Sequence, residues 1–321
     1  MSDTSKTALL VIRTLQRNLQ QNKTYYDFFG DKYYQYLNQL IDQAYNKEQY
    51  TNKNIMWMYT KLMFNLPNKI QSSINNTCKF SYEDSIVVRK IMIYNEILKS
   101  INNSFQQICI LGGGYDITSI MLSQKYPHIT FFEMDKGATQ KRKIEIMESI
   151  FPFKTDNMHF VECDLIFDDI SNVLSSSGFC FDKKTLVIAE GLTMYLQESI
   201  INKTLKTLAN ILTIDSKLIL SIIPNAENTG FVNTILNRML KSSQENYNFF
   251  LHYDNVQKFM NENGFYVDEK MSILTVGKYN EKLLKKNTNV YDTFEPYYIC
   301  SLTMPNIIMY KFIDIPEINM H

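Results

Sequence analysis

"CILGGGYDIT", residues 109–118, sets three consecutive glycines between an apolar run and a segment with helical spacing. The chain has only 10 glycines in 321 residues, so three at one turn mark a place where bare backbone is needed. Two physical reasons compete there: a φ > 0 conformation that other residues resist, or a ligand lying directly on the main chain.

The residues on either side decide the fold class. "QICIL" (107–111) reads as a strand and "YDITSIMLSQKY" (115–126) as a helix, followed by strand-like "HITFFEMD" (128–135) and helical "KGATQKRKIEIMESI" (136–150). "MHFVECD" (158–164), "TLVIAEG" (185–191) and "KLILSII" (217–223) are further strands, separated by helix-like "FDDISNVLSS" (167–176) and "ESIINKTLKTLANIL" (198–212). Such alternation predicts βαβ crossovers and an α/β fold, a mostly parallel sheet with helices on both faces. "FYVDEKMS" (265–272) and "YYICSLTMP" (297–305) read as late antiparallel strands, after a helical substrate-side insertion near 225–262.

Residues 1–104 differ in texture, with helix-spaced apolar positions such as Leu37, Leu40, Ile41 and Ala44, or Ile86, Ile93 and Ile97. The reading is a helical N-terminal region over 1–104 and a core domain over 105–321. Breaks are expected at "NNT" (75–77) and "INNS" (101–104).

Lys+Arg and Asp+Glu balance at 33 each, which argues against a partner bound through phosphate contacts. The one basic run, Lys141-Arg142-Lys143, reads as a solvated helix face. The five cysteines are scattered without a C-x-x-C pair, and Cys109 and Cys163 sit in apolar runs as small core residues. Four histidines without ligand-like spacing predict no metal site. The opening "MSDTSKTALLVIRTLQRN" has too short an apolar run for a signal peptide, and no stretch approaches the roughly 20 apolar residues of a membrane span. The expectation is a cytoplasmic protein, monomeric, with no nucleic-acid or membrane partner.

Ligands of such sheets bind beyond the carboxyl ends of the strands. Glycines 112 to 114 admit close approach, and a helix starting near Tyr115 would offer unpaired N–H groups. Asp135 ends the second strand about 20 residues on, where an acid accepts from ribose hydroxyls; it also suits a helix cap, and Glu133 shares its face. The third glycine of a dinucleotide fingerprint is replaced by Ile117, so a phosphate-free nucleoside fits better, S-adenosylmethionine foremost. Asp164 ends the third strand near an adenine, or serves as a turn cap. Glu190 ends the fourth, facing a cationic methionine end, or pairs with a nearby lysine. Arg89 lies on an apolar helical face three residues from Ile86 and four from Ile93, where it either snorkels or grips a buried anion.

"RKIMIYNEIL", "ICILGGGYDITS", "FFEMDKGATQKRKIEIM", "VECDL" and "LVIAEGLTMYLQES" resemble, in order and over about 84–223, the successive motifs of the leucine carboxyl methyltransferase family. The resemblance implies a Rossmann-like class I methyltransferase with a seven-stranded sheet, a helical N-terminal lid and S-adenosyl-L-methionine as cofactor. It implies contacts from Arg89 to the cofactor carboxylate, Gly112 and Gly114 at the turn, Asp135 to ribose, Asp164 with Leu165 to adenine, and Glu190 at the methionine end. Lys6 falls where the family has another basic contact. The family commonly reads GAG where this chain has Gly113, and Arg-Asp where it has Ile166 and Phe167. Residues 225–300 carry no match.

Methyl transfer to a carboxylate requires no general base, because the acceptor is already ionised at neutral pH. A hydroxyl acceptor would require one. Tyr195 would line the methyl channel, or fill core; His252 is the available base, or a surface residue at a helix start. The expected activity is O-methyl transfer to a carboxylate, on a protein C-terminal leucine. A small-molecule acceptor, a non-catalytic cofactor-binding protein and, more distantly, a nicotinamide oxidoreductase are the alternatives.

Overall fold

Serine hydroxyls and apolar spacing set the first elements of the fold. In the computed structural model, which describes residues 5–47, 82–151, 156–223, 247–267, 274–275 and 298–303, Ser5 accepts a 3.1 Å hydrogen bond from the Ala8 amide. That bond caps α1 (Lys6–Gln21). Leu9, Ile12, Leu15 and Leu19 recur every three or four residues along α1 and are all buried. α2 (Lys23–Lys47) breaks at Gly30, whose φ of 80° and ψ of 170° lie outside the helical region. It still buries Leu37, Leu40, Ile41 and Ala44. α3 (Tyr82–Asn102) buries Ile86, Ile93 and Ile97 and stops at the "INNS" break, where Ser104 takes φ 63°. The "NNT" break lies outside the described residues.

The alternating pattern then appears as read: β1 (Gln107–Leu111), α4 (Thr118–Lys125), β2 (Thr130–Asp135), α5 (Gly137–Ile150), β3 (Met158–Glu162), α6 (Ile170–Ser176), β4 (Thr185–Ala189), α7 (Glu198–Ile211) and β5 (Lys217–Ile222). β3, β2, β1, β4 and β5 lie side by side in that order, all parallel, with Ile110 level with Glu133 on one side and Ile188 on the other. α8 (Val256–Glu262), β6 (Tyr266–Val267), β7 (Leu274–Thr275) and β8 (Tyr298–Thr303) follow, β8 running antiparallel to β5. Of the expected insertion, residues 224–246 lie outside the described residues, and α8 is the helix found in the remainder.

The expectation of seven strands is not matched: among the described residues the sheet holds eight. β5 covers the whole inner edge of β8, and both β6 and β7 pair with its outer edge. Tyr266 stands opposite Thr303 and Leu274 opposite Ile299, so the register slips by four residues between the two short pairings.

Side chains alternate across the parallel strands and feed two apolar clusters. Ile108, Phe131, Leu186, Ile188 and Ile219 pack with α1 to α5, whereas Cys109, Phe132, Val187, Leu218 and Leu220 pack with α6 to α8. The N-terminal helices therefore belong to one of the two layers that cover the sheet. Cys109 and Cys163 are buried free thiols, and burial pushes their pKa values up to about 12 and about 11. Among the described residues no helix is long and apolar enough to cross a membrane.

Candidate functional site

A cavity of about 530 Å³ opens at the carboxyl ends of β1, β2 and β4, bounded by the glycine turn, the loops after β3 and β4, and one face of α1. Its volume falls in the range of small-molecule sites. Of the residues singled out from sequence, Arg89, Gly112, Gly114, Asp135, Asp164, Leu165, Glu190 and Tyr195 all line it. Lys6 opens α1, but its side chain lies outside the described residues. His252 does not line the cavity; it is 58% exposed and pairs with Asp254 at 3.3 Å.

The first of the two reasons for the glycines holds at Gly112 and Gly114, and a third, a close protein neighbour, accounts for Gly113. Gly112 and Gly114 take φ of 68° and 52°, the left-handed region that side chains resist. Gly113 yields to a neighbour instead, since a Cβ there would stand 2.4 Å from Glu133 Cγ. The turn's amides are not open as expected. Gly112 and Gly113 donate to the Met134 carbonyl at 2.7 and 3.3 Å, and Gly114 donates to Asp135 Oδ2 at 2.6 Å. The helix begins at Thr118 rather than near Tyr115, and Asp116 Oδ1 accepts from the Thr118 amide at 2.9 Å. Amides so engaged make a poor phosphate cradle, in keeping with a nucleoside lacking phosphates.

Glu133 and Asp135 differ in depth. Asp135 reaches the cavity and also accepts from the Lys136 amide at 2.7 Å. Burial pushes its pKa up, with the Gly114 and Lys136 amides offsetting part. Glu133 sits below the turn, 1% exposed, bonded to Lys143 and Ser119. Burial also raises its carboxyl, more than Lys143 and Ser119 lower it. Lys143 is thus no member of a solvated face: it is fully buried, because a charge under the sheet end needs its counter-ion there. Lys141, two residues away, is 71% exposed.

At the fourth strand end Glu190 lines the cavity and takes the paired reading. Its Oε1 accepts from Arg89 Nε and its Oε2 from Lys90 Nζ, each at 2.9 Å. Lys90 also donates to Asp116 Oδ2 at 2.6 Å. Arg89 is neither snorkelling nor waiting for a ligand anion alone; a protein carboxylate already holds it, at 3% exposure. Burial works against the Lys90 ammonium, but Asp116 and Glu190 together hold its pKa above the ordinary lysine value. Burial likewise opposes ionisation of Asp116, and Lys90 overrides it, holding that carboxyl well below the usual carboxylate range. The third strand end is looser. Asp164 Oδ1 accepts from the Ile166 amide at 3.0 Å, and Oδ2 faces the half-exposed Lys136 at 3.2 Å.

Sequence reasoning missed Lys90 and Asp116. The signal available was two adjacent cations inside the apolar run "IVVRKIMI" (86–93), which demands buried anions nearby. The donor set suits an adenosyl amino acid: carboxylates beside the turn for hydroxyl and amino groups, and neighbouring charges of both signs for a zwitterionic end.

The described fold is shared with solved structures. A DUF574-family protein from Streptomyces avermitilis aligns with TM-score 0.57 at 12% identity, over 77% of this chain and 95% of its own. A methyltransferase described as putative, from Thermobifida fusca, aligns with TM-score 0.55 at 11% identity, over 77% and 92%. At such identities the likeness speaks to fold alone. No sequence among curated proteins matches the chain. The leucine carboxyl methyltransferase family matches residues 15–209, which hold all five parallel strands except β5 and every charged residue of the cavity floor described above. The chain belongs to that family, as an S-adenosyl-L-methionine-dependent methyltransferase.

Proposed function

We propose that the protein methylates an oxygen of its acceptor, a carboxylate being the favoured group and a protein C-terminal leucine the favoured bearer. The observation that carries this reading is the lining of the 530 Å³ cavity: among the described residues it contains no histidine, and its buried cations are already paired with carboxylates. Such a site suits an acceptor that arrives ionised and has no proton to lose.

The donor, when bound, supplies a methyl group on a positively charged sulfur. The work assigned to the protein is binding and alignment, which can remove much of the entropic barrier to an in-line displacement. In this reading Arg89 and Glu190 orient the amino-acid end and Asp135 accepts from the ribose hydroxyls. Asp164 and Leu165 hold the adenine, Gly112 and Gly114 shape the turn beneath the ligand, and Lys6 adds a basic contact. Tyr195 borders the path of the methyl group. α1, whose Ala8, Val11 and Ile12 line the cavity, acts as the lid that keeps water out.

A small-molecule acid or hydroxyl acceptor is the second reading. Ile166, in the cavity wall and 42% exposed, favours it, because it puts apolar surface there. Incubation with methyl-labelled donor and fractionated lysate separates the two. Base-labile label on protein supports a C-terminal ester, and label in the small-molecule fraction supports the second reading. Tight donor binding with no transfer to either pool overturns both in favour of a non-catalytic binding protein.

A further inference from the structure

The floor of the cavity holds a linked set of four charges, two positive (Arg89, Lys90) and two negative (Glu190, Asp116), of which Asp116 is the most exposed at 19%. Lys90 is its hub. It bonds both carboxylates, is 8% exposed, and lines both the main cavity and a pocket of about 30 Å³ behind the glycine turn. With Lys90 and Arg89 on separate oxygens of Glu190, that carboxylate is fixed in direction.

We propose that Lys90 is a positioning residue that sets how strongly the site distinguishes the sulfonium donor from its thioether product. The inference rests on the reading that this cavity holds the methyl donor. Donor and product share adenosine, amine and carboxylate and differ by one methyl group and one positive charge on sulfur. The net charge of the floor therefore acts on the difference between them, while shape acts on what they share. With Lys90 present the four charges sum to zero and the floor gives the sulfonium no excess attraction. Without Lys90 the sum is −1, and the donor is favoured over its product. Asp116 is the reciprocal element, since its loss leaves +1.

The test is calorimetric titration of the purified protein with S-adenosylmethionine and with S-adenosylhomocysteine, for wild type, Lys90→Met, Asp116→Asn and the double variant. Lys90→Met should raise the preference for donor over product about tenfold, the scale of one unit charge acting within a site of this size. Asp116→Asn should lower it by a similar factor, and the charge-balanced double variant should return close to the wild-type ratio. If Lys90→Met does not fold, Asp116→Asn carries the test with the opposite sign. Equal loss of affinity for both ligands in the single variants assigns Lys90 a structural role only and overturns the proposal. Wild-type protein that binds neither ligand instead overturns the donor site itself, and the role of Lys90 with it.

Discussion

The two ends of the cavity use the same residue type, a carboxylate at a strand end, and satisfy it in opposite ways. At the Glu190 end the acids are held by buried side-chain cations from α3, a helix about 100 residues away in sequence. At the Asp135–Asp164 end they are held by backbone amides, Gly114 of the glycine turn and Lys136 and Ile166 of their own loops, with Lys136 as a half-exposed neighbour. A buried ion lattice is costly to break from one side, whereas disturbing a carboxylate held by backbone amides leaves no buried cation unpaired. One end is a rigid wall and the other a looser one.

Glu190→Gln tests the rigid end most severely. It leaves two buried cations without their shared anion and should cost on the order of 3–5 kcal/mol of stability in denaturant titration. A loss below about 1 kcal/mol would erase the contrast. Gly112→Ala should cost roughly 1–3 kcal/mol, from a left-handed backbone and a new methyl 3.0 Å from Leu192 Cδ1. Asp135→Ala should weaken donor binding by roughly 1–3 kcal/mol in calorimetry, and unchanged affinity would remove Asp135 from the site.

Acid sharpens the same comparison without a change at Glu190. The folded-state carboxyl of Asp116 lies below its ordinary value of 3.8, so its contribution is fully present above that pH and lost as pH falls through the depressed value. The stability gap between wild type and Asp116→Asn should therefore narrow on acidification below about 3.8, and a gap that widens would contradict the pairing. Asp164→Asn should have the smallest effect on stability, about 0–1 kcal/mol, because its cation partner is 58% exposed.

The parallel core was legible because its strands are short continuous apolar runs, each followed by a segment at helical spacing, as in "QICIL" before the glycines. β7 was not, since two residues carry no period. Lys143 was misread through composition. "KRK" looks solvated, yet Thr139, Lys143, Ile146 and Met147 share one buried helical face, a period already present in the sequence. The Lys90–Asp116 and Lys90–Glu190 pairs span 26 and 100 residues, and only the folded sheet brings them together. Three glycines announced a constrained turn, but local sequence does not specify which of them answers to Glu133 and which to φ.

The slipped pairing along the outer edge of β8 bears on self-association. A sheet margin with unpaired N–H and C=O groups in regular array is a template on which a second chain can add a strand. Here the described pairings beyond β8 are two, of two residues each and out of step by four, so they do not form one ladder of continuous register for an incoming strand to copy.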